Sequence, residues 1–193
     1  MSVTINGNGT ITGYEPVANG SITAAKLASG AITAGALPNG TVIQVQQTVK
    51  SDQFTVSANA SNFFDITGLS VDITMTSASN KVLVLFTTTW TGNNGQRGSF
   101  RVRRNSTDIG VGDTRGNRTR AFFGSIQTSS TNQCLPVAGQ FLDTPGTGTH
   151  TYKLQVGGES GVGTLTINSN QSDGDSGDKF VGISTITVME IAA

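Results

Sequence analysis

From Thr41 onward, short runs of alternating or wholly apolar residues are separated by clusters of Gly, Asn, Ser and Asp. This is the pattern of many strands folded into a sandwich or barrel. Strands are expected near 42–49, 54–58, 62–66, 69–76, 81–90, 98–104, 118–128, 133–142, 149–156, 163–168 and 179–191. The composition agrees: Thr, Ser, Asn and Gly abound and only 12% of residues are charged, which disfavours long helices and suits turns and strands. The expected class is all-β.

Three runs carry more detail. "TYKLQV" alternates cleanly, with Tyr152, Leu154 and Val156 on one parity and Thr151, Lys153 and Gln155 on the other. "KVLVLFTTTW" is apolar on both parities from Val82 to Phe86, so both its faces need cover, in the centre of a sandwich or against another subunit. The run "FVGISTITVMEIAA" places Ile186 and Val188 on one face and Ile183, Met189 and Ile191 on the other, and is expected to be packed rather than trailing.

The segment before this pattern is different. "ANGSITAAKLASGAITAGALPNGTV" repeats every ten residues: Gly20, Gly30 and Gly40 are followed two positions later by Ile22, Ile32 and Val42, with Leu27 and Leu37 completing the period. Two large apolar side chains per unit cannot offset the backbone entropy of ordering ten residues. Such a unit must stack on a neighbour, either another repeat or the same segment of another chain. Ile22, Leu27, Ile32 and Leu37 are the candidate contacts between arms. A flexible Gly/Ser/Ala linker is the competing reading, against which stands the regular return of Ile and Leu. "TAAKLAS" is compatible with a single helical turn capped by Thr23 and ended by Gly30. The expected division is an extended repeat arm over 1–40 and a strand-rich head over 41–193.

Formal net charge is zero, so no global attraction draws the chain to nucleic acid or an anionic membrane. The opening "MSVTINGNGT" has neither a basic nor an apolar leader region, and no run approaches the roughly eighteen apolar residues of a membrane span. A soluble protein made in a cytosol is expected. One cysteine, Cys134, precludes an intrachain disulfide, and its setting "QCLPV" suggests a small buried side chain.

Three stretches, "RRNSTDIGVGD", "SSTNQCLPVAGQFLDTPGTGTHTYKLQV" and "STITVMEIAA", resemble the C-terminal domain of phage fibre proteins, especially of phages that infect cyanobacteria. "MSVTINGNGTITG" and "ITAAKLASGAIT" resemble the slender parts of the same fibres. The resemblance implies a homotrimer, with an arm wound about a threefold axis and a β-sandwich head of jelly-roll or tumour-necrosis-factor-like type. It also implies a location on the virion. Two clear repeats make a short array, which suits a short spike or capsid decoration better than a long tail fibre.

Catalytic signatures are absent from the sequence. His150 is the lone histidine and reads as a hydrogen-bonded structural residue; there is no G-x-S-x-G or H-E-x-x-H motif. A non-enzymatic protein without cofactor is expected. Asp173, Asp175 and Asp178 in "SDGDSGD" offer oxygen ligands suited to Ca²⁺, but the spacing of a Ca²⁺-binding helix-loop-helix is missing and an exposed acidic loop is the simpler reading.

The strongest local signal is basic. All seven arginines, Arg97, Arg101, Arg103, Arg104, Arg115, Arg118 and Arg120, fall within 24 residues against only Asp108 and Asp113, a local charge of plus five. Phe100 and Val102 take one parity, so Arg101 and Arg103 should project together from the other, and Arg118 and Arg120 should share a face on a neighbouring strand. Arginine suits the planar fork that meets carboxylate or phosphate. Inter-subunit ion pairs or a hydrated sheet face would use the same residues. Aromatic residues are not interleaved as stacking platforms, which disfavours nucleic acid.

The expected function is therefore a virion structural protein, attached to other virion proteins by its arm, self-associating through its head, and contacting host-envelope glycan through loops such as "TGNNGQRG" and "SDGDSGD". A capsid cement protein is the alternative within that class. A small polysaccharide depolymerase or free carbohydrate-binding module is the alternative outside it.

Overall fold

The computed structural model describes residues 4–5, 11–12, 32, 36–59, 62–158 and 163–193. The chain divides into two units, Met1–Leu37 and Pro38–Ala193. In the first, β1 (Thr4–Ile5) and β2 (Ile11–Thr12) pair antiparallel, Thr4 opposite Thr12 and Ile5 opposite Ile11. Of the four candidate arm contacts, Ile32 is exposed and Leu37 half-buried. Ile22, Leu27 and the candidate helical turn over 23–29 lie outside the described residues.

The second unit holds β3 (Val42–Lys50), β4 (Phe54–Ala58), β5 (Phe63–Met75), β6 (Lys81–Gly92), β7 (Arg97–Arg104), β8 (Thr107–Ile109), β9 (Phe123–Gln127), β10 (Leu135–Asp143), β11 (Gly148–Gly158), β12 (Gly163–Ile167) and β13 (Ser184–Ile191). All pairings are antiparallel, and no α-helix occurs among the described residues.

Several strands lie end to end and make one column. β12 and β13 both run along the same edge of β6, β12 against Trp90–Gly92 and β13 against Lys81–Thr87. β4 and β3 continue one another along their outer side. β9 and β8 likewise share one edge of β7, since β11 covers its other edge. The first sheet is thus four columns, β3/β4, β12/β13, β6 and β10, and the second is β5, β11, β7 and β8/β9. Numbered along the chain, the columns run first, eighth, third, sixth in one sheet and second, seventh, fourth, fifth in the other.

The two sheets face each other across one apolar core, an arrangement consistent with a β-sandwich. Val82, Val84, Phe86 and Trp90 enter it from β6, Ile186 and Val188 from β13, and Tyr152, Leu154 and Val156 from β11, all buried. The indole of Trp90 stands edge-on to Phe100, with centroids 6.0 Å apart. Gly98 on β7 makes this possible, because a Cβ there would sit 2.8 Å from the indole.

β5 corrects one expectation. The runs expected at 62–66 and 69–76 are a single strand with a bulge, and Gly68 at the bulge has φ of 83°, a region that favours glycine. The extra residues flip the parity, so Ile66 and Leu69 both point inward and are buried. The strand expected over 118–128 is only Phe123–Gln127, and that over 179–191 begins at Ser184. β8 was not expected at all; three residues are too few for alternation to register.

The interval 168–183 is an excursion from the middle of a column. Asn168 leaves it in the left-handed region, φ 65°. Its Oδ1 accepts from Ser184 Oγ at 2.6 Å, and Gly182 N donates to its carbonyl at 2.8 Å, so entry and exit are tied together. Ala192 and Ala193 are pinned as the alternation implied: Ala192 exchanges backbone bonds with Gly40 and Thr41, and Ala193 N donates to Asn80 Oδ1.

Glu190 sits on the inward parity of β13 and is fully buried. No cation among the described residues lies within ion-pair distance. Gln44 Nε2 donates to its carboxylate at 2.6 Å, Asn80 Nδ2 at 2.7 Å, Thr76 Oγ1 at 2.8 Å and Thr76 N at 2.9 Å. Burial disfavours the charge, but these four donors outweigh it and hold the carboxyl below its ordinary 4.5. A lowered folded pKa gives stability that is complete above the unfolded value and lost as pH falls through the folded one. Glu190→Gln is therefore expected to cost roughly 1–3 kcal/mol at neutral pH. Urea melts taken downward from pH 7 should show the gap between wild type and variant narrowing only below about pH 4.5.

Candidate functional site

The two outer faces of this unit differ in chemistry. On the second sheet, register sets Arg101 beside Gln155, Gln155 beside Asp65, and Arg103 between Lys153 and Asp108. As parity required, Arg101 and Arg103 project together away from the core. Arg101 Nε donates to Gln155 Oε1 at 2.7 Å and Nη1 to Asp108 Oδ2 at 2.7 Å, while its guanidinium carbon lies 4.1 Å from the Phe63 ring centroid. Gln155 passes the chain on to Asp65, which also accepts from Lys153 Nζ at 2.6 Å. Burial opposes the Asp65 charge, but the Lys153 and Gln155 donors hold its carboxyl below the usual range. Burial pulls the Arg101 guanidinium below its usual range against the opposing pull of Asp108.

Arg118 and Arg120 correct the expectation of a second strand. They lie on the exposed loop between β8 and β9, not on a strand, so they share no sheet face. The loop nevertheless carries them to Arg101. A groove of about 340 Å³ is lined by Phe63, Arg101, Asp108, Val111, Arg118 and Arg120. Arg120 is fixed at one corner, its Nε donating to Gly112 O at 2.6 Å. Neither Arg118 nor Arg120 has a carboxylate within ion-pair distance among the described residues. A further depression of about 630 Å³, lined by Arg115, Gly116, Asn117 and Arg118, continues along the same loop.

Two arginines leave this group. Arg104 has the inward parity, and its Nη1 lies 2.6 Å from Asp143 Oδ2 of the opposite sheet. Tyr152 Oη donates to the same oxygen at 2.7 Å. Burial and the Asp143 carboxylate push the Tyr152 phenol above its usual range. Arg97 is exposed on β7 opposite Gln127 and lines none of these depressions. The seven arginines of the candidate patch thus divide into one cluster of Arg101, Arg118 and Arg120, a flanking Arg115, a sheet-face Arg103, an internal Arg104 and a separate Arg97.

The acidic loop does not converge. Asp173 accepts from Ser169 Oγ at 3.2 Å, and Asp178 accepts from Ser176 Oγ and lies 3.8 Å from Lys179 Nζ. Among the described residues no three His, Cys, Asp or Glu gather as a metal site. His150 is buried on the inward parity, with Nε2 3.1 Å from Thr147 O and Nδ1 3.4 Å from Asn105 Nδ2. Cys134 is half-buried rather than enclosed, and burial raises its thiol pKa. No helix among the described residues is long and apolar enough to cross a membrane.

The first sheet's outer face carries one wholly apolar row among mixed ones. Register aligns Leu142, Leu83, Met189 and Val45 in one row across four columns. The next rows are mixed, Leu85 standing with Gln140, Thr187 and Gln47, and Val49 with Ala138, Thr87 and Thr185, and Ile183 continues the same parity before β13. Leu142, Val45, Val49 and Ile183 are 49%, 51%, 53% and 58% exposed. A depression of about 380 Å³ lined by Leu85, Thr87, Ala138 and Gln140, among others, lies on this side.

No family model and no curated protein matches the chain. Among solved structures it is similar to a chain of infectious bursal disease virus, Gx strain, at a TM-score of 0.38 and 10% identity over 79% of this chain. It spans 38% of the length of that chain.

The sequence did not reveal Phe63, Asp65, Gln155 or Asp108 as partners of Arg101. The last was within reach: Asn105, in the left-handed region, marks a tight turn that folds Asp108 back onto Arg103. Gln155 depends on the long-range β7–β11 register, and Phe63 and Asp65 on the bulged register between β5 and β11, which no local pattern specifies.

Proposed function

We propose that this chain is a non-enzymatic structural protein of a phage particle, a homotrimeric short fibre, spike or decoration. In this reading residues 1–40 form the arm that attaches to other virion proteins, residues 41–193 form the head, and the head contacts the host's surface glycan. The observation that carries the proposal is the apolar row across the outer face of the first sheet, with Val49 and Ile183 exposed beside it. An antiparallel sheet with one wet face alternates apolar-in and polar-out. Here the outward row of Leu142, Leu83, Met189 and Val45 breaks that rule over a contiguous area. Monomers rarely leave such an area uncovered, and closed symmetry covers it with copies of the same chain. The column order supports the jelly-roll reading of the head, since two nested Greek keys place the first, eighth, third and sixth columns together. The resemblance of the sequence to phage fibre proteins supports the threefold number and the virion location.

Each large apolar side chain covered on association contributes roughly 1.5–3 kcal/mol. Val45→Lys with Leu142→Lys places a cation at each end of the apolar row, on the two edge columns, without touching the core. Sedimentation of the full chain at low micromolar concentration is expected to give three times the chain mass for wild type and the single-chain mass for the double variant, with strand content unchanged by circular dichroism. Gold-labelled antibody on intact particles should decorate the surface. A monomeric wild type, or particles without label, would overturn the proposal.

A further inference from the structure

We propose that the groove formed by Phe63, Arg101, Asp108, Val111, Arg118 and Arg120 binds a carboxylate-bearing sugar of an acidic polysaccharide. This rests on the reading above of a head that contacts host glycan, and names the site and the chemistry. Three arginines face one aspartate in the groove, leaving an excess of two positive charges in about 340 Å³. The neighbouring depression adds a further cation, Arg115.

Arg101 is held before any ligand arrives. Gln155 and Asp108 take its Nε and Nη1, and Phe63 lies against its plane, so little side-chain entropy is lost when Nη2 engages an anion. Arg120 is held at Nε alone, which leaves both terminal nitrogens for a planar, two-oxygen partner. Arg118 is exposed and has no carboxylate partner among the described residues.

The other lining residues select the kind of anion. A small inorganic ion would use the arginines and the polar lining, which includes Asn117 and Thr119, and would leave the apolar lining unused. Val111 and the edge of Phe63 add apolar surface suited to the C–H faces of a sugar ring, and Asp108 is an acceptor for ring hydroxyls. Nucleic acid fits poorly, since the only ring in the groove already carries Arg101 against its face and offers no stack of free platforms. The ligand class with a planar carboxylate, hydroxyl edges and apolar ring faces is a uronic-acid oligomer.

The test is calorimetric titration of the full chain with oligogalacturonate, with a neutral oligogalactose of equal length and with inorganic phosphate. Binding of the uronate is expected, with affinity that falls as salt rises, and phosphate and neutral sugar should bind at least about tenfold more weakly. Arg118→Gln with Arg120→Gln should weaken uronate binding about tenfold or more, the scale of losing charge-assisted hydrogen bonds, while leaving the melting temperature unchanged. Arg118→Lys with Arg120→Lys keeps the charge but loses the fork and should also weaken it. No uronate binding at millimolar concentration, equal binding of neutral sugar or phosphate, or an unchanged affinity in the Gln variant would overturn the inference. Sedimentation of the same samples separates the two proposals: a trimer that binds no uronate loses only the groove, and a monomer that binds it loses only the trimer.

Discussion

Trp90→Ala is expected to lower the unfolding free energy by about 3–5 kcal/mol, whereas Trp90→Phe should cost much less. The indole is fully buried, packs edge-on against Phe100, and occupies the space that Gly98 leaves open on the facing sheet. Its contribution is packing alone. Nε1 has no hydrogen-bond partner among the described residues, so replacing the indole with a phenyl ring removes volume but strands no acceptor. Gly98→Ala probes the same contact from the other side, because its Cβ would press on the indole at 2.8 Å. Domains of this size are stable by only about 5–15 kcal/mol, so the alanine variant should unfold in far less urea. Far-ultraviolet circular dichroism is the suitable readout, since Trp90 is the sole tryptophan and fluorescence would vanish with it.

The second large effect concerns Asp143. Arg104 and Tyr152 of one sheet both meet a single carboxylate oxygen of the other, at 2.6 and 2.7 Å. Asp143→Ala leaves a guanidinium and a phenol without that partner inside the sandwich and is expected to cost roughly 3–5 kcal/mol. The cost measures the stranded charge more than the value of the pair. Asp143→Leu combined with Arg104→Met should therefore recover most of the loss, and Tyr152→Phe alone should cost only about 1 kcal/mol. A double-mutant cycle from urea melts checks this: a strongly favourable coupling between positions 104 and 143 is expected, and additive losses would refute it.

How far the sequence foretold this arrangement depended on whether the signal was local. Alternation in "TYKLQV" and the outward parity of Arg101 and Arg103 follow from the pleat, and both are as the pattern required. The two-faced apolarity of "KVLVLF" also has its physical reason: Val82, Val84 and Phe86 fill the core while Leu83 and Leu85 line the outer face. Arg104 defied expectation only in company, because its parity was legible but its inward partner, Asp143, is 39 residues away. Arg118 and Arg120 were read as strand residues since polar alternation imitates a half-exposed strand, yet the loop delivers them to the same groove by another route. The acidic run over 172–178 was legible as a loop; that it interrupts a column rather than joining two was not, because collinearity appears only when both halves are seen against β6.

The place of β13 also governs when this molecule can come into being. It lies between β3 and β6, so the first sheet stays open in its middle until residues 184–191 have left the ribosome. At synthesis rates of about 5–20 residues per second, roughly 5–20 s separate the emergence of β6 from that of β13. Throughout that interval "KVLVLF" has an unpaired edge, the condition in which nascent chains are captured by chaperones or by one another. Slow pairing over long sequence separations extends the exposure. A message broken before the codons of β13 consequently leaves β3 and β6 without the strand that joins them. Only a chain read through Ile191 closes the first sheet, and the topology itself acts as the inspection.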